Sequence, residues 1–142
     1  MAANYVALLD TIQEVLQASL PEGTTVTQDI SPPTVEQCPT VIVSLEGFDR
    51  NPTFIARPQF GGSYVEIARV LLDCWAFSGQ GVQDAGVQRD TLVSLVIQAV
   101  EYNPEILGLC LMFQCLRGET MVAQGNGIHS GMRLHCEGQL IT

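Results

Sequence analysis

The chain has 142 residues, of which 46% are hydrophobic and 15% charged, against about 25% charged in an average soluble protein. That length suits one domain with a single core, spanning 1–142, and the low charge fraction points to surface covered by other subunits. The net charge is −9; lysine is absent, and residues 1–49 hold seven acids and no base, which excludes sequence-independent binding to nucleic-acid phosphates.

In chain order, the first element is a helix from Asn4 to Leu20. Tyr5, Leu8, Leu9, Ile12, Val15, Leu16 and Leu20 recur at gaps of three and four and form one apolar stripe. Asn4 is the expected N-cap, and Pro21 with Gly23 ends the helix. The opening MAANYVALLD has no basic residue ahead of its apolar positions and does not read as a signal peptide. Thr24 to Gln28 reads as a short strand, broken by Ser31-Pro32-Pro33, and Val41 to Leu45 as a second.

Glu46 to Ser63 shows neither helical nor strand period. It contains Pro52, Pro58, Gly47, Gly61 and Gly62, together with Phe48, Phe54, Phe60, Arg50 and Arg57. A loop of this length inside a compact domain points to a contact function. A long β-hairpin tip with aromatic self-packing would produce the same composition.

Tyr64 to Phe77 reads as a long strand. One face presents Ala68, Val70, Leu72, Cys74 and Ala76, small and apolar, so helices can lie close to it. The other presents Ile67, Arg69, Leu71, Asp73, Trp75 and Phe77. Charges among large apolar groups suggest a subunit interface, with Arg69, Leu71, Asp73 and Trp75 as candidate residues and Trp75 as anchor. A bent strand that switches its buried side would show the same pattern.

After a Gly-rich turn, Asp84 is expected to cap a helix running to about Glu101, with Gln88, Leu92, Leu95, Val96, Ala99 and Val100 inward. Asn103-Pro104 stops it. Leu107, Leu109, Leu111, Phe113 and Cys115 then alternate with smaller or polar residues and read as a central strand. The uncharged run from Ile106 to Leu116 is too short to span a bilayer. Gly118 to Gly131 holds a Gly125-Asn126-Gly127 turn and reads as a short hairpin. Arg133 to Ile141 alternates again, with Leu134, Cys136 and Leu140 on one side and Arg133, His135, Glu137 and Gln139 on the other. The fold class that follows is α+β, with two helices packed on one face of a mainly antiparallel sheet.

The chain offers little chemistry. His135 and Cys136 are strand neighbours, so their side chains point to opposite faces and cannot form a catalytic pair. Gly125 to Gly131 approaches a dinucleotide-binding pattern, but Ser130 replaces its third glycine and no helix follows. A Walker loop would need a lysine. The five cysteines (Cys38, Cys74, Cys110, Cys115, Cys136) are odd in number and lack C-x-x-C spacing, so they read as reduced, buried thiols rather than a zinc site or disulfide framework. Neither catalysis, a metal nor a cofactor is expected.

The order of elements resembles that of the tail terminator proteins of tailed bacteriophages, typified by the lambda tail terminator. The resemblance covers nearly the whole chain. It rests on the opening helix ending at Leu20-Pro21, the Pro39-Thr40-Val41-Ile42-Val43 strand, the loop, the long strand Tyr64–Phe77, the Asp84–Glu101 helix and the closing Leu134–Ile141 strand. It implies a structural virion protein, made in the host cytoplasm, that forms a hexameric ring on the tail tube. Such a ring stops tube polymerisation and joins the tail to the head connector. Implied partners are further copies of the chain, the tail tube protein, the connector or neck protein and a sheath protein. DNA would pass through the bore without specific binding, and no membrane is involved. On this chain the resemblance assigns Phe48, Arg50, Phe54, Arg57 and Phe60 to a tube- or lumen-contact loop. It assigns Arg69, Asp73 and Trp75 to the subunit face. Alternatives from the same sequence are a neck, adaptor or tail-completion protein, or a small cytoplasmic ligand- or peptide-binding module using the loop Phe48–Phe60.

Overall fold

The computed structural model describes residues 4–31, 33–34, 37–52, 64–121 and 129–141. Helix α1 (Tyr5–Ser19) starts where expected, because the Asn4 side chain accepts a 2.9 Å hydrogen bond from the Ala7 N–H. Leu8, Ile12, Val15 and Leu16 form its buried stripe. Beyond Leu20 the chain turns through Gly23 at φ +93°, a left-handed conformation that glycine adopts without steric penalty.

Among the described residues five strands form one sheet in the order β1-β2-β3-β5-β4: β1 (Thr25–Thr27), β2 (Thr40–Pro52), β3 (Tyr64–Phe77), β4 (Met112–Met121) and β5 (His129–Ile141). All neighbours are antiparallel except β1 and β2. Two long helices, α1 and α2 (Val82–Val100), cover one face, which makes the α+β class the observed one. Ala68, Val70, Leu72 and Cys74 on β3 are fully buried on that face, beside Val41 and Val43 of β2 and Leu134, Cys136 and Leu140 of β5. From α2 the core receives Leu92, Val96 and Val100. Among the described residues no helix is long and apolar enough to cross a membrane.

Three sequence-derived expectations are corrected. The aperiodic stretch after Leu45 is not loop throughout: residues 46–52 continue β2, paired with β3, as the hairpin alternative requires. A one-residue bulge between Leu45 and Gly47 shifts the register, so the inward side changes from Val41, Val43 and Leu45 to Phe48 and Arg50. That shift erases the period of two. Gly47 lies under the Arg69 guanidinium, where a Cβ would come within 3.0 Å of Nη2.

The second correction concerns Leu107 to Cys115. Asn103-Pro104 opens a new short helix, α3 (Pro104–Leu107), with Asn103 Oδ1 accepting from the Glu105 and Ile106 N–H groups and proline at the first position. The strand that follows begins only at Met112 and is the edge of the sheet, not its centre. Of the alternating row Leu107, Leu109, Leu111, Phe113 and Cys115, Phe113 alone is buried; Leu107, Leu109 and Leu111 are exposed.

The third is smaller. Helix α2 begins at Val82, its N-cap is Gly81 without a side-chain cap bond, and Asp84 lies in the first turn, where its carboxylate accepts from Ser78 Oγ and from Gln88 Nε2. An acid there still meets the positive end of the helix. Gln88 is exposed, and Ala85 takes the inward place assigned to it.

Candidate interaction surfaces

The sheet face opposite the helices carries the four residues that the sequence nominates as a subunit face. Three of them are already covered within the single chain: Leu71 is 9% exposed, Asp73 8% and Trp75 8%. The six-membered ring of Trp75 lies over Gly131, opposite it on β5; a Cβ there would stand 2.7 Å from Cε3 and Cζ3. Trp75 is therefore internal in the lone chain rather than an exposed anchor.

Asp73 accepts two hydrogen bonds from Arg133 across the β3–β5 ladder, 2.8 Å from Nε and 3.0 Å from Nη2. The fork geometry matches carboxylate and guanidinium and supplies a charge-assisted pair in which Asp73 is largely desolvated while Arg133 still reaches solvent. Its hydrogen bond to Asp73 raises the Arg133 pKa further above its ordinary value.

Arg69 remains accessible. It pairs with Asp49 on β2 and lies 3.6 Å from Glu46. Glu46 in turn is 3.7 Å from His135 Nδ1, whose Nε2 is 3.3 Å from Glu119 on β4. Polar side chains thus run across four strands as a row, with the Arg69 guanidinium set between the Glu46 and Asp49 carboxylates and the His135 ring between those of Glu46 and Glu119. They frame a cavity of about 230 Å³ lined by Glu46, Arg69, Leu71, Leu116 and His135, among others. Cys136 faces the helices while His135 faces this row, the opposed arrangement that strand alternation dictates. Among the described residues no group of three His, Cys, Asp or Glu side chains could hold a metal ion.

The aromatic segment divides. Phe48 and Arg50 belong to β2 and are occupied at the helix-covered side of the sheet. Phe48 stacks on Tyr5, with ring centroids 5.2 Å apart, and Arg50 pairs at 2.8 Å with the buried Glu66. Tyr5 Oη also donates to Glu66; burial, then that carboxylate, pushes the phenol above its ordinary pKa. Phe54, Arg57 and Phe60 lie outside the described residues.

The surface that sequence reasoning missed lies at the sheet's edge. Leu107, Leu109, Leu111 and Met112 are exposed in succession, Leu111 at 58%, and Leu116 is exposed further along β4. Leu107 closes α3, Leu109 and Leu111 lie in the turn that follows it, and Met112 opens β4. Among the described residues β4 pairs only with β5, so its outer backbone groups meet no other described strand. The signal in the sequence was the proline at a helix-opening position beside an uncharged run. Near the opposite edge, Pro21, Thr24, Pro39, Val87, Leu92 and Leu95 line an apolar groove of about 250 Å³, with Glu22 also among its walls.

Comparison with known proteins finds no matching family model and no matching curated protein. Among solved structures, a chain from the virion of a native gene transfer agent particle shares the fold, with a TM-score of 0.66 and 14% identity over 100% of both chains.

Proposed function

We propose that this chain is a structural virion protein whose copies close into a ring, hexameric by its resemblance to tail terminators. The ring caps the tail tube, halts its growth and meets the head connector. The observation that carries the reading is the end-to-end likeness to a chain of a gene transfer agent virion, on a molecule with one apolar sheet edge and an apolar groove near the other. Two different surfaces at opposite edges of one subunit suit a heterologous, head-to-tail contact, and such contacts generate rings when the rotation closes.

Size and charge support the same contact. Leu107, Leu109, Leu111, Met112 and Leu116 together present on the order of 400 Å² of mostly apolar surface, within the range for the largest patch of a monomer. A standard interface takes roughly 800 Å² from each partner, so this edge supplies about half. Arg117, beside Leu116 at the edge, is opposite in charge to Glu22 of the groove.

In the ring, the polar sheet face around Arg69 and the Asp73–Arg133 pair flanks the neighbouring subunit or the bore. Leu71 and Trp75 support that face from below. The segment holding Phe54, Arg57 and Phe60 is the tube or lumen contact. A net charge of −9 lets DNA pass without adhering. Tube protein, connector or neck protein and a sheath are the partners of such a ring. A neck or tail-completion ring would use the same two edges and would bind the connector without capping tubes.

Native mass spectrometry of the full chain, with electron microscopy of the chain mixed with tail tubes, tests the reading. Closed rings seated on tube ends are expected. Leu111→Asp should leave folded monomers that cap nothing. A wild-type chain that stays monomeric at every concentration and never decorates tubes would overturn it.

A further inference from the structure

The five cysteines are not equivalent. Cys74 and Cys110 are buried, and their thiols face the backbone carbonyls of Leu72 and Ile106. Cys115 and Cys136 instead face each other. They are register partners on antiparallel strands β4 and β5, with their sulfur atoms 3.0 Å apart. Residues directly opposite in an antiparallel pair have Cα atoms about 4.5 or 5.5 Å apart, within the roughly 4.4–6.8 Å that disulfides span. Closing the bond therefore asks for side-chain rotation rather than movement of strands.

Their exposure differs in a way that sets an order of events. Cys136 is 1% exposed, whereas Cys115, on the edge strand, is only partly buried. The hydrogen bond to Cys115, then burial, pushes the Cys136 thiol above its ordinary pKa, so Cys115 is the thiol that meets an external reagent.

We infer that Cys115 and Cys136 are a modification site: a paired thiol that closes to a cross-strand disulfide by exchange with a low-molecular-weight disulfide, fastening the edge strand β4 to β5. Cys115 gives its proton to water and its thiolate attacks one sulfur of the reagent. A mixed disulfide forms, the reagent's S–S bond breaks and one small thiolate leaves. The Cys136 thiolate, its proton passed to solvent, then attacks the Cys115 sulfur and expels the second small thiolate. Two protein thiols are oxidised by two electrons in total, one reagent disulfide is reduced, and the two leaving thiolates take up the two protons. The new bond encloses the β4–β5 hairpin and holds the strand that carries Leu116 and Arg117. This inference does not rest on the ring reading.

Oxidised glutathione is the probe. The full chain, incubated with it at mildly alkaline pH and then denatured and alkylated, should lose two of its five thiols and the mass of two hydrogens. Its digest should contain one linked peptide pair holding Cys115 and Cys136. Thermal melting should rise by on the order of 5–10 °C, reversibly with reductant. Cys136→Ser should retain a glutathione adduct on Cys115, and Cys115→Ser should leave Cys136 unreacted. All five thiols remaining free, a stable glutathione adduct on the wild-type chain, or a linkage between two chains would overturn the inference. The wild-type linkage map decides the matter even where a variant fails to fold.

Discussion

The outer face of β3 and the α3–β4 edge both carry large apolar side chains outside the main core, yet they end in opposite states. On β3, Trp75 rests on Gly131 and Asp73 is held by Arg133, so a face with no second layer is closed by its own cross-strand neighbours. On the α3–β4 segment, Leu107, Leu109, Leu111 and Leu116 have no such neighbours, because the sheet ends there. Charge mixed with aromatics on a central strand therefore does not mark a partner surface by itself. A central strand has two flanking ladders that can supply a glycine shelf or a guanidinium fork, and an edge strand has one.

The sharpest way to break this contrast is Trp75→Ala. An internal indole predicts a loss of about 3–5 kcal/mol in the stability of the isolated chain, measured by denaturant unfolding. Unchanged stability with lost assembly would return Trp75 to the role of an exposed anchor. Asp73→Ala comes next. It leaves Arg133 without its fork partner and should cost on the order of 1–3 kcal/mol, less than a wholly buried pair because Arg133 reaches solvent. Combining it with Arg133→Ala in a double-mutant cycle should recover part of that loss. The smallest effect on folding belongs to Leu111→Asp, within about 0.5 kcal/mol by the same unfolding measurement, since it touches an exposed turn. Its effect on assembly should be the largest of the three. Should Leu111→Asp unfold the chain instead, the segment would be packed rather than bare.

Helix α1, the inner face of β3 and the alternation of β5 were legible from periodicity because each has a continuous stripe of one period. So was the Asn4 cap, whose hydrogen bond is local. The full length of β2 was not, since a single bulge at Glu46 reverses the alternation midway and leaves a stretch that reads as patternless. The segment after Asn103 misled for a different reason: alternating leucines fit a strand, but the Asn-Pro cap three residues earlier had already committed the backbone to a helical turn. Of the nominated face Arg69 is the residue left accessible, while the leucine edge was read as a central strand.

What the amino-acid order determined by itself was local: where α1 starts and stops, which side of β3 and β5 is apolar, that the chain is acidic without lysine, and that it lacks the motifs of common catalysts. Those properties depend on neighbours within a few residues or on a sum over the chain. Which strand is central and which is edge, which glycine shelters the indole, and which two thiols meet were decided by the tertiary structure alone. Each depends on the pairing of segments distant in sequence, and a one-residue shift of register would change every such partner.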